Sequence, residues 1–149
     1  MIPSTASILV VDDIPANIGL LLETLQSSGF DVRVAENGLA ALDQVAYEPP
    51  DLILLDIQMP GIDGYETCRR LKANPETRHI PVLFLSALSD TVNKVRGFQV
   101  GAADYVTKPI EIEEMLARVN THLTIANLRK QSSEQNADLE RLILSLIHI

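Results

Sequence analysis

Two carboxylates close the first apolar run of the chain: Ser7-Ile8-Leu9-Val10-Val11 is followed by Asp12-Asp13. A third closes Leu52-Ile53-Leu54-Leu55-Asp56, and Gln58-Met59-Pro60-Gly61 turns the chain at once. Two more polar side chains end apolar runs. Ser86 follows Ile80-Pro81-Val82-Leu83-Phe84-Leu85, and Lys108-Pro109 follows Tyr105-Val106-Thr107. Three carboxylates in one crevice repel one another unless a cation sits among them. An all-oxygen set suits Mg²⁺, which takes a few carboxylates together with water and substrate phosphate oxygens. A carboxylate can also attack a phosphoryl group to give an aspartyl phosphate. That transfer needs alignment and charge neutralisation more than covalent help. Lys108 can supply a point charge, and the Ser86 hydroxyl can donate to a phosphoryl oxygen. Asp56 is the candidate nucleophile.

For these residues to meet, the runs that carry them must be neighbouring strands. A continuous apolar run bounded by turn residues reads as a strand buried on both faces, as in parallel sheets. Helical spacing separates the runs. Pro15 opens a helix carrying Ile18, Leu21, Leu22 and Leu25, and Gly29 stops it. Phe30 to Ala35 alternates as a second strand, and Asn37-Gly38 is a turn. Leu39 to Ala46 is predicted as a helix closed by Pro49-Pro50. Gly64 to Ala73 is another, with Tyr65, Cys68 and Leu71 facing inward. Thr91 to Val100 is a weaker one, and Glu111 opens a last helix carrying Ile112, Met115, Leu116 and Val119.

Strand and helix alternate five times. The predicted class is α/β: a doubly wound five-stranded parallel sheet in the order 2-1-3-4-5, with helices on both faces and an extended C-terminal helix. That order puts the ends of the first and third strands together at the switch point, where open sheets of this type hold their ligands. Asp12, Asp13 and Asp56 then converge, with Ser86 and Lys108 beside them.

Of the 149 residues, 46% are hydrophobic, enough for a sizeable core and against disorder throughout. The formal net charge of −8 argues against direct nucleic-acid binding by this segment, which would need clustered Lys and Arg. The single cysteine, Cys68, forbids an intramolecular disulfide and fits a reducing compartment. The N-terminus lacks a signal-peptide pattern and no apolar run reaches the length of a membrane span, so a cytoplasmic location away from membranes is expected. Plainer readings stand beside the chemical ones. Asp12-Asp13 could cap the following helix, Tyr105 could be a packing aromatic, Asp63 reads as a loop residue, and His79 and His122 read as surface residues.

Asp12-Asp13, Asp56 with Met59-Pro60-Gly61-Ile62-Asp63-Gly64, Ser86-Ala87 and Lys108-Pro109 together resemble the receiver domain of bacterial two-component response regulators. The resemblance runs from about Ser7 to Leu123 and includes every motif in order. It implies that Asp56 takes phosphate from a sensor histidine kinase or a phosphotransfer protein. Mg²⁺ would be held by Asp12, Asp13, Asp56 and the backbone carbonyl of Gln58, while Ser86 and Lys108 contact the phosphoryl group. It further implies a cis peptide at Lys108-Pro109, which an X-Pro bond can adopt at little cost. Tyr105 would be a switch aromatic that turns inward when Ser86 moves toward phosphate. The face of the fourth helix, fifth strand and fifth helix would change with it. Self-association through that face, or through the C-terminal helix, is the expected homodimer.

Residues 1–123 are therefore expected to be the receiver and 124–143 a helical linker. Ile125, Leu128, Leu139 and Leu142 fit an a/d seam, interrupted by Ser132 and Gln135. The stretch resembles a signalling helix leading to an output module such as a histidine kinase or nucleotide cyclase. Residues 144–149, Leu-Ser-Leu-Ile-His-Ile, resemble the translated end of a transposase adapter used in DNA library preparation, and are expected to be non-native, with the chain an N-terminal fragment. The alternative is a stand-alone receiver acting as an adaptor. A flavodoxin-like enzyme or nucleotide binder would need a glycine-rich loop where Asp12-Asp13-Ile14-Pro15 stands.

Overall fold

The computed structural model describes residues 5–87 and 94–147. Five strands alternate with five helices: β1 (Ser7–Val11), α1 (Pro15–Ser27), β2 (Asp31–Ala35), α2 (Gly38–Tyr47), β3 (Leu52–Asp56), α3 (Gly64–Ala73), β4 (Val82–Ser86), α4 (Lys94–Gln99), β5 (Asp104–Thr107) and α5 (Ile112–Ile147). The strands form one parallel sheet in the order β2-β1-β3-β4-β5. The α/β doubly wound arrangement expected from the alternation is the one observed.

The unbroken apolar runs have a simple cause. Successive side chains of a strand point to opposite faces, so a strand covered on both sides needs apolar residues at every position. Leu9, Val11, Ile53, Leu55 and Phe84 pack with Ala41 and Val45 of α2 and with Tyr65, Cys68 and Leu71 of α3. Ile8, Val10, Leu52, Leu54, Leu83 and Leu85 pack with Leu21 and Leu25 of α1 and with Met115, Val119 and Leu123 of α5. β3 and β4 lie inside the sheet and are buried at all five positions each.

Local chemistry sets the element ends. Gly29, at φ +93°, takes the left-handed turn that closes α1. Asn37 caps α2, its side chain accepting from the Ala40 N–H. Asp63 caps α3 in the same way, accepting from the Glu66 N–H at 2.9 Å. That revises its reading as a loop residue, because a short side chain three residues ahead of a free N–H is a cap. β4 starts at Val82 and not at Ile80, since Pro81 has no N–H to give to a ladder. The expected start of the fourth helix at Thr91 lies outside the described residues, as do His148 and Ile149 of the C-terminal segment.

α5 runs unbroken for 36 residues, roughly 54 Å at the helical rise. Its inward residues Met115, Val119 and Leu123 recur every fourth position, and Leu123 is the last one buried. Past it, Ile125, Leu128, Leu139 and Leu142 are exposed. No helix among the described residues is long and apolar enough to cross a membrane.

Candidate functional site

Asp12 stands just past β1 and is fully buried. Its N–H donates to the Ala35 carbonyl at 3.2 Å, which fixes the strand end against β2. Its Oδ1 accepts from the Ile14 N–H at 2.9 Å. Asp12 thus serves the first turn of α1 with one oxygen, while the N-cap residue itself, Ile14, has no side chain that can do so. Its Oδ2 is buried without a hydrogen-bond partner. Asp56, the last residue of β3, is 5% exposed, and Asp13 is exposed at the rim. Asp12, Asp13 and Asp56 each offer an oxygen within 4.8 Å of the others.

Lys108 reaches into this group from the end of β5. Its ammonium lies 3.2 Å from Asp56 Oδ1 and 3.7 Å from Asp12 Oδ2. Its own N–H donates to the Ser86 carbonyl at 2.7 Å, so the ends of β4 and β5 are tied together just where Ser86 and Lys108 stand. The Lys108–Pro109 peptide is cis. Ser86 is buried at the last position of β4, one residue beyond Leu85, the register partner of Asp56.

One ammonium faces three carboxylates, and the electrostatics register the mismatch. Burial, followed by the charge of Asp12, pushes Asp56 up to about 6 from an ordinary 3.8, against the pull of Lys108. A buried oxygen with no donor, in a cluster made only of carboxylate oxygens, fits a hard divalent cation. The exposed Gln58 lines an open depression of about 430 Å³ with Asp13, Met59, Pro60, Asp63 and Tyr65. The loop carrying Gln58 is clamped to the strand end. The Gly64 N–H donates to the Ile57 carbonyl at 2.8 Å, and a Cβ at Gly64 would overlap the Asp56 carbonyl oxygen.

Tyr105 pairs with Phe84 across the β4–β5 register and is turned into the core, 5% exposed. Its ring lies 5.6 Å from Phe84 and 5.4 Å from Phe98. Burial, and then the neighbouring Tyr65, push its hydroxyl up to about 12. Tyr65 stacks beneath Arg96 of α4, whose guanidinium lies 4.4 Å from the ring centre. The α3 stripe was legible from spacing, but its contact with α4 was not, because no local pattern links the two segments. Cys68 is fully buried, and burial raises its thiol to about 11, as suits a core residue.

A second charged group lies at the other end of the sheet. Asp104, the first residue of β5, accepts two hydrogen bonds from Arg118 at 2.8 Å and one contact from His122 Nε2 at 2.9 Å. Burial raises its carboxyl, but hydrogen bonds from His122, the Tyr105 N–H and Arg118 outweigh that and hold it below the ordinary range. His122 is therefore not a surface residue: one turn beyond Arg118 on α5, it is drawn half inside by the Asp104 carboxylate. His79 is exposed.

Comparison with known proteins bears on what such a site does. A family model described as the response regulator receiver domain matches residues 8–120. Response regulator PleD of Caulobacter vibrioides is 44% identical over 133 residues, which is 87% of this chain and 29% of PleD. The DNA-binding dual master transcriptional regulator RpaA of Synechocystis is 39% identical over 140 residues, 94% of this chain and 58% of RpaA. Among solved structures, the signal receiver domain of a signal transduction histidine kinase from Syntrophus aciditrophicus matches with a TM-score of 0.76 at 37% identity, covering 80% of this chain and 91% of that one. The chain spans under a third of PleD and somewhat more than half of RpaA.

Proposed function

The chain belongs to the response regulator receiver family, and on that premise we propose that it signals by accepting a phosphoryl group on Asp56. Receivers are signalling domains that work with histidine kinases or phosphotransfer proteins, and relatives such as PleD extend well beyond the receiver. The observation that carries the proposal is the placement of Asp56. It is a buried strand-end carboxylate, 3.2 Å from the Lys108 ammonium and grouped with two further carboxylates.

In this reading an Asp56 oxygen attacks the phosphorus of a phosphohistidine on a sensor kinase or phosphotransfer protein. A P–O bond forms, the P–N bond breaks, and the imidazole leaves and takes up a proton. Lys108 neutralises charge on the incoming phosphoryl group, and the Ser86 hydroxyl donates to one of its oxygens. Asp12, Asp13, Asp56 and the Gln58 carbonyl would hold Mg²⁺, which receivers bind at such acidic sites. When bound, the ion neutralises charge between the carboxylates and the phosphoryl oxygens. Ser86 and Tyr105 are the switch pair. Apart from taking that group from its donor and losing it again, the domain works as a signalling domain.

We assign residues 1–123 to the receiver and 124–143 to a helical linker, a division supported by the end of burial in α5 at Leu123. Self-association through α4, β5 and α5 is the proposed contact on phosphorylation, where Val95 and Phe98 are exposed. The cytoplasm is the proposed compartment, consistent with a free buried Cys68.

The test is direct. Acetyl phosphate with Mg²⁺ adds one phosphoryl group by intact mass, and Asp56→Asn removes the label. Undiminished labelling of that variant would move the acceptor elsewhere.

A further inference from the structure

The inward position of Tyr105 depends on a wall that has no side chain. A Cβ at Gly97 of α4 would overlap the Tyr105 hydroxyl oxygen and lie 2.7 Å from Tyr105 Cζ and 3.1 Å from Phe84 Cε2. An aromatic ring turns about two torsions only, so it cannot step aside locally as a flexible chain end can. Glycine inside a helix costs about 1 kcal/mol relative to alanine, so α4 gives up helix propensity at this position. The hydroxyl it admits is hydrogen-bonded to the Gly97 backbone and to the Tyr65 side chain. Tyr65 meets Phe84 edge-on at 5.3 Å and carries Arg96 on its ring. It is also the second residue of α3, whose first N–H is bonded to the carbonyl of the residue after Asp56.

We propose that Gly97 and Tyr65 form the seat that holds Tyr105 inward, and so act as positioning residues for the switch. Gly97 leaves room for the phenol, and the Tyr65 hydroxyl fixes it there. The inward state thereby has a hydrogen-bonded anchor that the outward state lacks, and any side chain at position 97 biases Tyr105 outward. Tyr65 also ties the seat to α3 and to the loop that follows Asp56. The inference rests on the reading of Tyr105 as a switch residue, but the seat belongs to the fold without phosphate and can be tested there.

Nitration of the full chain with tetranitromethane, mapped by peptide mass spectrometry, reports tyrosine exposure. Tyr47 is 90% exposed and is the internal standard, whereas Tyr65 and Tyr105 are 4% and 5% exposed. In the parent chain Tyr105 reacts at least about tenfold more slowly than Tyr47, through local opening only. Gly97→Ala brings Tyr105 to within about threefold of Tyr47 while acetyl phosphate still labels Asp56, and Tyr65→Phe gives an intermediate rate. A folded Gly97→Ala protein whose Tyr105 is protected as in the parent overturns the proposal. If Gly97→Ala fails to fold, it is combined with Tyr105→Leu, which takes the ring away from the wall. Recovery of a cooperative urea transition in the double variant supports the seat, and failure to recover overturns it. Absence of labelling from every variant, the parent included, would instead sink the Asp56 reading and leave the nitration result to stand alone.

Discussion

Asp56 and Asp104 are the same residue type on strands of the same sheet, yet they sit at opposite ends and in opposite electrostatic settings. Asp56 closes β3 among two other carboxylates and one ammonium. Asp104 opens β5 against one guanidinium nitrogen of Arg118, which meets both of its oxygens, and against an imidazole. The first carboxyl is pushed up to about 6, chiefly by burial and Asp12, and the second is held below its ordinary value by its partners. A folded chain places a carboxylate where donors outnumber it when it needs only a tie between elements. A group left buried and short of countercharge lowers stability and calls for a binding or reactive role. The two ends differ in that respect, and the difference separates the end proposed to accept phosphate from the one that ties β5 to α5.

Asparagine at each position breaks the comparison hardest. Asp56→Asn abolishes acetyl phosphate labelling, a fall of at least about 100-fold, because an amide is no nucleophile toward phosphorus. Asp104→Asn keeps the labelling rate within about twofold, since Asp104 touches none of the residues around Asp56. Loss of labelling in both variants would show that the two ends are not independent.

Acid titration of stability comes next in size. In EDTA, the folded-state pKa of Asp56 is raised above its unfolded value, so the folded chain binds the proton more tightly. Ionised Asp56 therefore destabilises the fold above about pH 6, and stability rises as pH falls from 7 toward 4. The full effect is on the order of 3 kcal/mol. Asp104 has the opposite sign. Its folded pKa is lowered, so its contribution is present above the unfolded value and is lost only as pH falls through the folded one. Urea denaturation at pH 7 and pH 5 should show a gain in the parent on acidification and almost none in Asp56→Asn. Mg²⁺ at pH 7 should remove most of the difference. Equal pH dependence of parent and variant would contradict the mismatch at Asp56.

A smaller effect attends Arg118→Ala. Arg118 and Asp104 are both partly exposed, and Asp104 keeps His122, so solvent screening limits the loss to about 1 kcal/mol or less. Labelling should not change. A loss several times larger would mean that the ion pair carries α5 onto the sheet by itself.

The carboxylate cluster around Asp56 is easier to foresee than the Asp104 group, for a physical reason. Asp12, Asp13, Asp56 and Lys108 each follow an apolar run, and a parallel sheet puts the C-terminal ends of its strands along one edge. Local pattern plus topology therefore brings them together. Asp104 and His122 are joined by a contact between a strand start and a helix face, and nothing near His122 in the chain announces it. Tyr65 was placed inward by its spacing with Cys68 and Leu71, yet its bond to Tyr105 and its place under Arg96 depend on how α3 and α4 meet. Gly97 lies in a segment of weak helical pattern that does not single it out, and only the Tyr105 ring packed against it gives it a reason. The long course of α5 is legible, because the seam of Ile125, Leu128, Leu139 and Leu142 carries helical spacing on past Leu123, the last docked residue.

The smallest expected effect concerns that undocked length. Met115, Val119 and Leu123 fasten α5 to the sheet, and His122 ties it to Asp104 one residue before the last of them. Beyond Leu123 the apolar residues Ile125, Leu128, Leu139 and Leu142 are exposed. An isolated helix gains little without a face to bury, and two polar residues break the seam between its halves. A chain ending at Thr124 should therefore keep both charged groups in place. Its labelling rate should match the parent, its urea midpoint should move by less than about 0.5 kcal/mol equivalent, and only its helical signal should fall. If the midpoint instead drops by more than about 1 kcal/mol and does so in a concentration-dependent way, the outer helix is holding a second copy. The contrast between Asp56 and Asp104 would then have to be drawn again within a dimer, where His122 lies beside the interface and not at the edge of a monomer's fold.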